Sequence, residues 1–153
     1  MSQLSALIKE LEQRIPDLEK EAPKVSASAV GWHIEHSLLT INAIIAAMGK
    51  SDPKDYQWKF SFPRLLVFTI NKIPRGRAKA PVHVQPKTVF TSATLKEHVD
   101  RTVEKLNDLN GLQAKQFLIH PYFGKLNVKQ TIKFLGIHTR HHIAIINDII
   151  KQA

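Results

Sequence analysis

The sequence predicts an all-α fold, a four-helix bundle with a long, irregular and basic crossover between its second and third helices. Three observations lead there. Four stretches carry apolar residues at the three-to-four spacing that gathers them on one helical face. The segment between the second and third is dotted with Pro53, Pro63, Pro74, Pro81 and Pro86, and proline suppresses regular backbone hydrogen bonding. No repeat period or low-complexity tract points to a solenoid. With 153 residues, 43% of them hydrophobic and 23% charged, the chain suits one globular domain over 1–153.

The first helix is expected from about Ser5 to Leu18, where Leu4, Leu7, Leu11, Ile15 and Leu18 keep helical spacing and Pro16 kinks or weakens the end. The second starts near Ser26 or Ser28 and runs to about Met48, closed by Gly49 and the turn from Ser51 to Pro53. Its main apolar stripe is Ile34, Leu38, Ile41, Ile45 and Met48; Trp32, His36, Ala43 and Ala47 form a second, nearly opposite. A helix apolar on both sides is buried on both, here by the bundle and by a partner subunit, so a homodimer is expected. In the crossover, "RLLVFTINK" fits a short helix or a strand, helix being favoured, and "IPRGRAKAPVHVQPK" reads as an extended loop. The third helix opens with a capping box at Thr94 and Glu97, aligns Leu95, Val99, Val103, Leu106 and Leu109, and closes at Asn110-Gly111. The fourth opens at Asn127, with Gln130 three residues on, and runs to about Ile150.

Composition excludes several classes. The apolar run from Ser37 to Met48 is broken by Thr40 and Asn42 and falls short of the ~20 residues a bilayer crossing needs, so no membrane partner is expected. The N-terminus lacks a secretory pattern, and a cytoplasmic location is expected. With no cysteine, disulfides, thiolate ligands and a cysteine nucleophile are excluded, and any transition metal must use histidine or carboxylate. The net charge is +9. Between Tyr56 and Lys96 there is no Asp or Glu, while Lys59, Arg64, Lys72, Arg75, Arg77, Lys79, Lys87 and Lys96 mark a basic region over 59–96. Such a block is most simply a solvated surface; it can also attract nucleic acid, an acidic membrane or an anionic small molecule. Nucleic acid ranks last, because aromatic residues are only 7% and the basic residues follow a proline-rich segment rather than one helix face.

The chemistry-bearing residues are histidines. "HTRHH" occupies 138–142 of the fourth helix. At about 100° per residue with His138 at zero, Val128, Ile132, Leu135, Ile146 and Ile149 fall between roughly 20° and 120°. His142 lies inside that arc, His138 on its edge and His141 on the flank, whereas Arg140 joins Lys129, Lys133 and Lys151 on the solvent side. An inward pair at i, i+4 can share one ion, although a bare pair is more often two packed core histidines. A third ligand would complete a site that keeps one position open.

In "GWHIEH" of the second helix, His36 has small neighbours at Thr40, Ala43 and Ala47 that leave room for an ion or ligand. His33 is expected in a supporting or surface role; Glu35 is a solvated charge or, alternatively, a base in the site. The turn from His120 to Gly124 most simply shapes a tight entry to the last helix, with Tyr122 or Phe123 stapling it to the core. Alternatively His120 or Tyr122 faces the cavity as a proton donor. His83 and His98 have no partner in sequence and are expected to be exposed.

One histidine in the second helix, a distant His-x-x-x-His in the last, and the segment "HPYFGKLNVKQTIKFLGIHTRHH" over His120 to His142 together resemble the DinB-like superfamily of metal-dependent enzymes. The likeness is strongest to a branch in which a His-Pro-x-Phe-Gly turn leads into the metal-binding helix, and it covers about Ser26 to Ile150. The resemblance implies a DinB-like bundle in which His36, His138 and His142 ligate a divalent ion, zinc or nickel. Members with known activities use low-molecular-weight thiols: bacillithiol or mycothiol S-transferases and a mycothiol-dependent maleylpyruvate isomerase. Two departures bear on the transferase reaction more than on the metal: Ile143-Ala144-Ile145 stands where Arg-Gly-Gln is usual, and the Trp32–His36 interval is short.

The expectation is therefore a metal-dependent transferase or hydrolase acting on a small anionic substrate, with any thiol supplied from outside and the catalytic residue open among Glu35, His120 and Tyr122. Three neutral imidazoles would leave the ion its full charge and an open position, lowering the pKa of a bound water or thiol. The alternative is a non-catalytic metal-binding or structural module of the same fold.

Overall fold

The computed structural model describes residues 2–76, 81–86 and 89–153; Arg77, Lys79 and Lys87 of the basic region lie outside them. The described chain is mostly helical: α1 (Ser2–Glu12), α2 (Val30–Gly49), α3 (Phe62–Ile70), α4 (Ser92–Lys105) and α5 (Val128–Gln152). Short 3-10 turns occupy Ile15–Asp17, Pro53–Asp55, Val82–Val84 and Leu106–Gly111. One antiparallel hairpin pairs β1 (Phe117–His120) with β2 (Gly124–Asn127). Helix α5 lies against α1 and α2, and α4 lies against the same two. Ile8, Leu11, Ile41, Leu95, Leu135 and Ile146 are fully buried where these four helices meet. A smaller core of Val67, Phe123, Leu126, Phe134 and Ile137 ties α3 and the hairpin to α5. None of the described helices is long and apolar enough to cross a membrane.

The helix ends differ from the sequence expectation for local reasons. Helix α1 stops at Glu12, and Pro16 falls in the following 3-10 turn, at a first-turn position where its missing amide costs no hydrogen bond. Helix α2 starts at Val30 because Ser26 Oγ accepts from the Ser28 amide and holds that stretch in a turn. Its first amides are satisfied from behind, Val30 N–H by Lys20 O and Gly31 N–H by Leu18 O. That close approach requires glycine at 31, where a Cβ would stand 2.2 Å from the Phe90 ring.

The capping box of α4 is formed by Thr91 and Thr94, one turn before the expected Thr94 and Glu97. Glu97 instead pairs with Arg101 at 3.1 Å. Leu106 and Leu109 are buried from the 3-10 turn, while Val103 faces out. At α5, Asn127 and Gln130 form the expected box.

Two further expectations change. The expected turn from His120 to Gly124 is present, but it joins two strands not expected from the sequence, and Gly124 adopts φ +71, a left-handed conformation that favours glycine. The second stripe of α2 is covered in part by its own chain: His36 is buried, its Nδ1 donating to Val84 O, and β1 packs on the same helix, while Trp32 and Ala43 are half-buried and Ala47 is exposed. In the crossover "RLLVFTINK" is helical as far as Ile70, within α3 and capped by Ser61. Its polarity is mixed: Val67 packs into the smaller core, yet Arg64 is buried against the carbonyls of Lys59, Phe123 and Lys125, and Phe62, Leu65, Leu66 and Ile70 are exposed.

Candidate metal centre

The histidines of α2 and α5 converge where the two helices pack together. His36, His138 and His142 each offer a ring nitrogen, and the three nitrogens lie within 4.8 Å of one another. Ring centroids are 4.6 Å apart for His138 and His142, 4.7 Å for His36 and His142 and 5.2 Å for His36 and His138. No carboxylate belongs to the group.

Each ring is oriented differently. His36 stacks on Trp32 at 4.9 Å and its Nδ1 is 2.7 Å from Val84 O. A carbonyl only accepts, so in the neutral ring the proton sits on Nδ1 and Nε2 carries a free lone pair. Among the described residues, the buried Nδ1 of His138 has no hydrogen-bond partner, an uncommon and costly condition. His142 Nδ1 meets His33 Nδ1 at 3.0 Å, and His33 Nε2 meets Ser26 Oγ at 2.9 Å.

His138 stands near the middle of the buried arc of α5 rather than on its edge. Phe134, Ile137 and Ile145 are buried on its His141 side because the smaller core and the cavity wall cover that flank. Arg140, expected in solvent, is half-buried; it lies over Gly136, whose Cβ would be 3.5 Å from Nη1, and that Nη1 is buried without a partner among the described residues.

Burial keeps the cluster neutral. It lowers His138 to about 3 and His33 to about 4, with neighbouring histidines adding to the effect. Burial lowers His142 further still, and lowers His36 against the opposing pull of the Val84 carbonyl. His141 is lowered by burial and then by Arg75. Neutral imidazole is the form a metal ion needs, so no proton must leave at pH 7.

A cavity of about 580 Å³ opens over the cluster, within the range of small-molecule sites. Its walls are largely apolar, with Trp32, Ile44, Ile73, Leu118 and Ile145, and its polar groups include Arg75, His83, His120, His141 and Tyr122. Arg75 also pairs with Asp148 at 2.8 Å. His120 stacks on Phe123 at 4.2 Å and its Nδ1 accepts from the Tyr122 amide at 3.2 Å. Burial lowers it to about 4, so the ring is neutral with its proton on Nε2. Tyr122 is exposed at the rim.

Of the sequence candidates, the structure brings together His36, His138 and His142, and sets His120 and Tyr122 in the cavity wall. Glu35 turns away: it accepts from His98 Nδ1 at 2.8 Å across the contact with α4. His98, expected to be exposed, is buried, with its Nε2 accepting from Asn42 Nδ2 at 2.9 Å. His83 is exposed as expected, yet it lines the cavity. Sequence reasoning missed the bond from His33 to His142. The one signal for it was the i, i+3 spacing of His33 and His36, which puts them side by side on α2. Nothing in the sequence marked Ser26 or the Val84 carbonyl.

No family model matches the chain, and no solved structure matches it. A similar protein is "Uncharacterized protein YuaE" of Bacillus subtilis (strain 168), 33% identical over 79 residues, which are 48% of this chain and 49% of that protein. The chain thus spans about half the length of the curated relative it matches.

Proposed function

We propose that the chain is a DinB-like metal-dependent enzyme, a single helical domain in which His36, His138 and His142 hold one divalent ion, zinc or nickel, beneath a cavity for a small substrate. The observation that carries this reading is the convergence of three neutral imidazoles with His138 Nδ1 left buried and unpaired. The donor set fits the ion: imidazole suits zinc and nickel, whereas magnesium and calcium take oxygen ligands. The mutual packing of α1, α2, α4 and α5 supports the DinB-like bundle. Bound there, the ion would supply Lewis acidity and activate a water or an incoming thiol.

The chain's own residues do the rest. Val84 O and the Trp32 ring hold His36 in place, so little side-chain freedom is lost on binding. The apolar walls exclude water and accept an apolar body, while Arg75 and His83 at the rim suit an anionic group. His120, with its proton on Nε2, and Tyr122, with its hydroxyl, are the groups placed to hold a proton beside a substrate. A low-molecular-weight thiol as co-substrate fits a chain without cysteine, as does a cytoplasmic setting that keeps thiols reduced. Transferase and hydrolase chemistry both remain within this reading.

Elemental analysis of protein purified without a histidine tag tests it. One zinc or nickel per chain is expected, lost in His138→Ala and His142→Ala while circular dichroism stays helical. Protein that takes up no first-row metal even after reconstitution would sink the proposal. If metal is bound but neither small thiols nor electrophiles perturb the visible spectrum of the cobalt form, the non-catalytic metal-binding module is the surviving reading.

A further inference from the structure

The geometry points to His33 as the positioning residue of the cluster: by hydrogen bonding to His142 it sets which nitrogen of that ring is left free to face His36 and His138. This rests on the reading that those three histidines hold an ion, but the hydrogen bond itself exists without one.

Two imidazole nitrogens 3.0 Å apart must carry one proton between them, since two lone pairs or two N–H groups would repel. Both rings are buried, His33 at 4% and His142 at 8% exposed, and for neutral rings, each with one proton, only two arrangements exist. In the first, His33 Nδ1–H donates to His142 Nδ1, His33 Nε2 accepts from the Ser26 hydroxyl, and the remaining proton of His142 sits on Nε2. That leaves His142 no lone pair for an ion. In the second, His142 Nδ1–H donates to His33 Nδ1, His33 Nε2–H donates to Ser26 Oγ at 2.9 Å, and His142 Nε2 carries a free lone pair. Ser26 Oγ also accepts the Ser28 amide at 3.1 Å, and a hydroxyl oxygen has room for both. Only the second arrangement makes His142 a ligand.

His33 is built to hold this position. It is 4% exposed, and its ring stands edge-on to Trp32 at 5.2 Å and 83°. Trp32 also stacks on His36, so one indole braces both histidines of α2. Helix α2 thus contributes one ring to the cluster and, three residues earlier, the group that orients a ring of α5. Outer partners of metal-bound histidines are usually carboxylates or carbonyls. A neutral imidazole in that role adds no negative charge to the site.

The test compares His33→Asn, whose Oδ1 can take the place of Nδ1 as acceptor, with His33→Leu, which fills space and accepts nothing. In metal-free protein, imidazole ¹⁵N spectra should show His142 protonated on Nδ1 in the wild type and in His33→Asn, and shifted toward Nε2–H in His33→Leu. Zinc affinity by chelator competition should fall about 10–100-fold in His33→Leu with stoichiometry unchanged, and only a few-fold in His33→Asn. Should His33→Leu not fold, Ser26→Ala carries the test from the far end of the chain of bonds, with a partial tautomer shift and a several-fold loss of affinity expected.

The inference is overturned if wild-type His142 is the Nε2–H tautomer, or if His33→Leu binds zinc as tightly as wild type. It is equally overturned if His33→Leu loses the metal outright as His138→Ala does, which would make His33 a ligand. A wild type that binds no metal would sink the proposed function instead, and the tautomer spectra would still decide the role of His33.

Discussion

Glu35 and His98 lie 63 positions apart, and each is the reason for the other's place. On α2 alone, Glu35 is a carboxylate one residue from a candidate ligand. Across the contact with α4 it is the acceptor of a buried imidazole that also takes a hydrogen bond from Asn42. Replacing His98 by Ala leaves both groups without that partner, and unpaired polar groups in such a place cost about 1–3 kcal/mol. The expected outcome of His98→Ala is a thermal midpoint lower by several degrees with zinc stoichiometry unchanged. Loss of metal in that variant would return Glu35 to the site. Residue types and helical phase made His138, His142 and His36 visible as inward groups, because phase is a property of one helix. Which neighbour a residue meets is not, so the sequence leaves His98 as an exposed residue and His33 in a supporting or surface role.

Among the elements, the helices were legible and the two short strands were not. Helix α5 repeats its apolar pattern over many turns and begins with its own Asn127–Gln130 box. The strands of the hairpin have four residues each, too few for alternation to be told from an apolar turn. Helix α3 was legible as a helix, but its orientation was not. It buries Arg64 beside Val67 and exposes its leucines, unlike an ordinary surface helix. The cause is the set of backbone carbonyls of Lys59, Phe123 and Lys125, which need a donor that only a guanidinium can supply in several directions at once. Arg64→Ala should destabilise the protein by about 1–3 kcal/mol by leaving those carbonyls unpaired, and Arg64→Lys should restore only part of the loss. Denaturant titration measures the first, and hydrogen exchange at the amides of 124–127 should show the hairpin opening before the helices. Unchanged exchange there would mean that Arg64 does not hold α3 to the hairpin.

For the whole molecule, the cluster makes stability depend on pH. His33 and His120 are lowered to about 4 and His138 to about 3, all below the ordinary 6.5. Between those values the unfolded chain binds protons that the folded chain refuses, so stability rises with pH through this window and is lost on acidification below about 6.5. Metal-free protein should therefore show a flat thermal midpoint above pH 7 and a steep fall towards pH 4. Each such histidine contributes a slope approaching about 1.4 kcal/mol per pH unit. A midpoint unchanged from pH 7 to pH 5 would contradict the neutral, buried state of these rings.

Period, capping and composition are local, so the existence of the helices, the start of α5, the inward turn of His138 and His142 and the absence of any thiol are all readable from the chain alone. That His33 reaches His142 across 109 positions, that the carbonyl of Val84 orients His36, and that Glu35 faces away emerge only in the folded chain. Those outcomes depend on which helices become neighbours and where a loop carbonyl comes to rest, and packing between distant segments settles both.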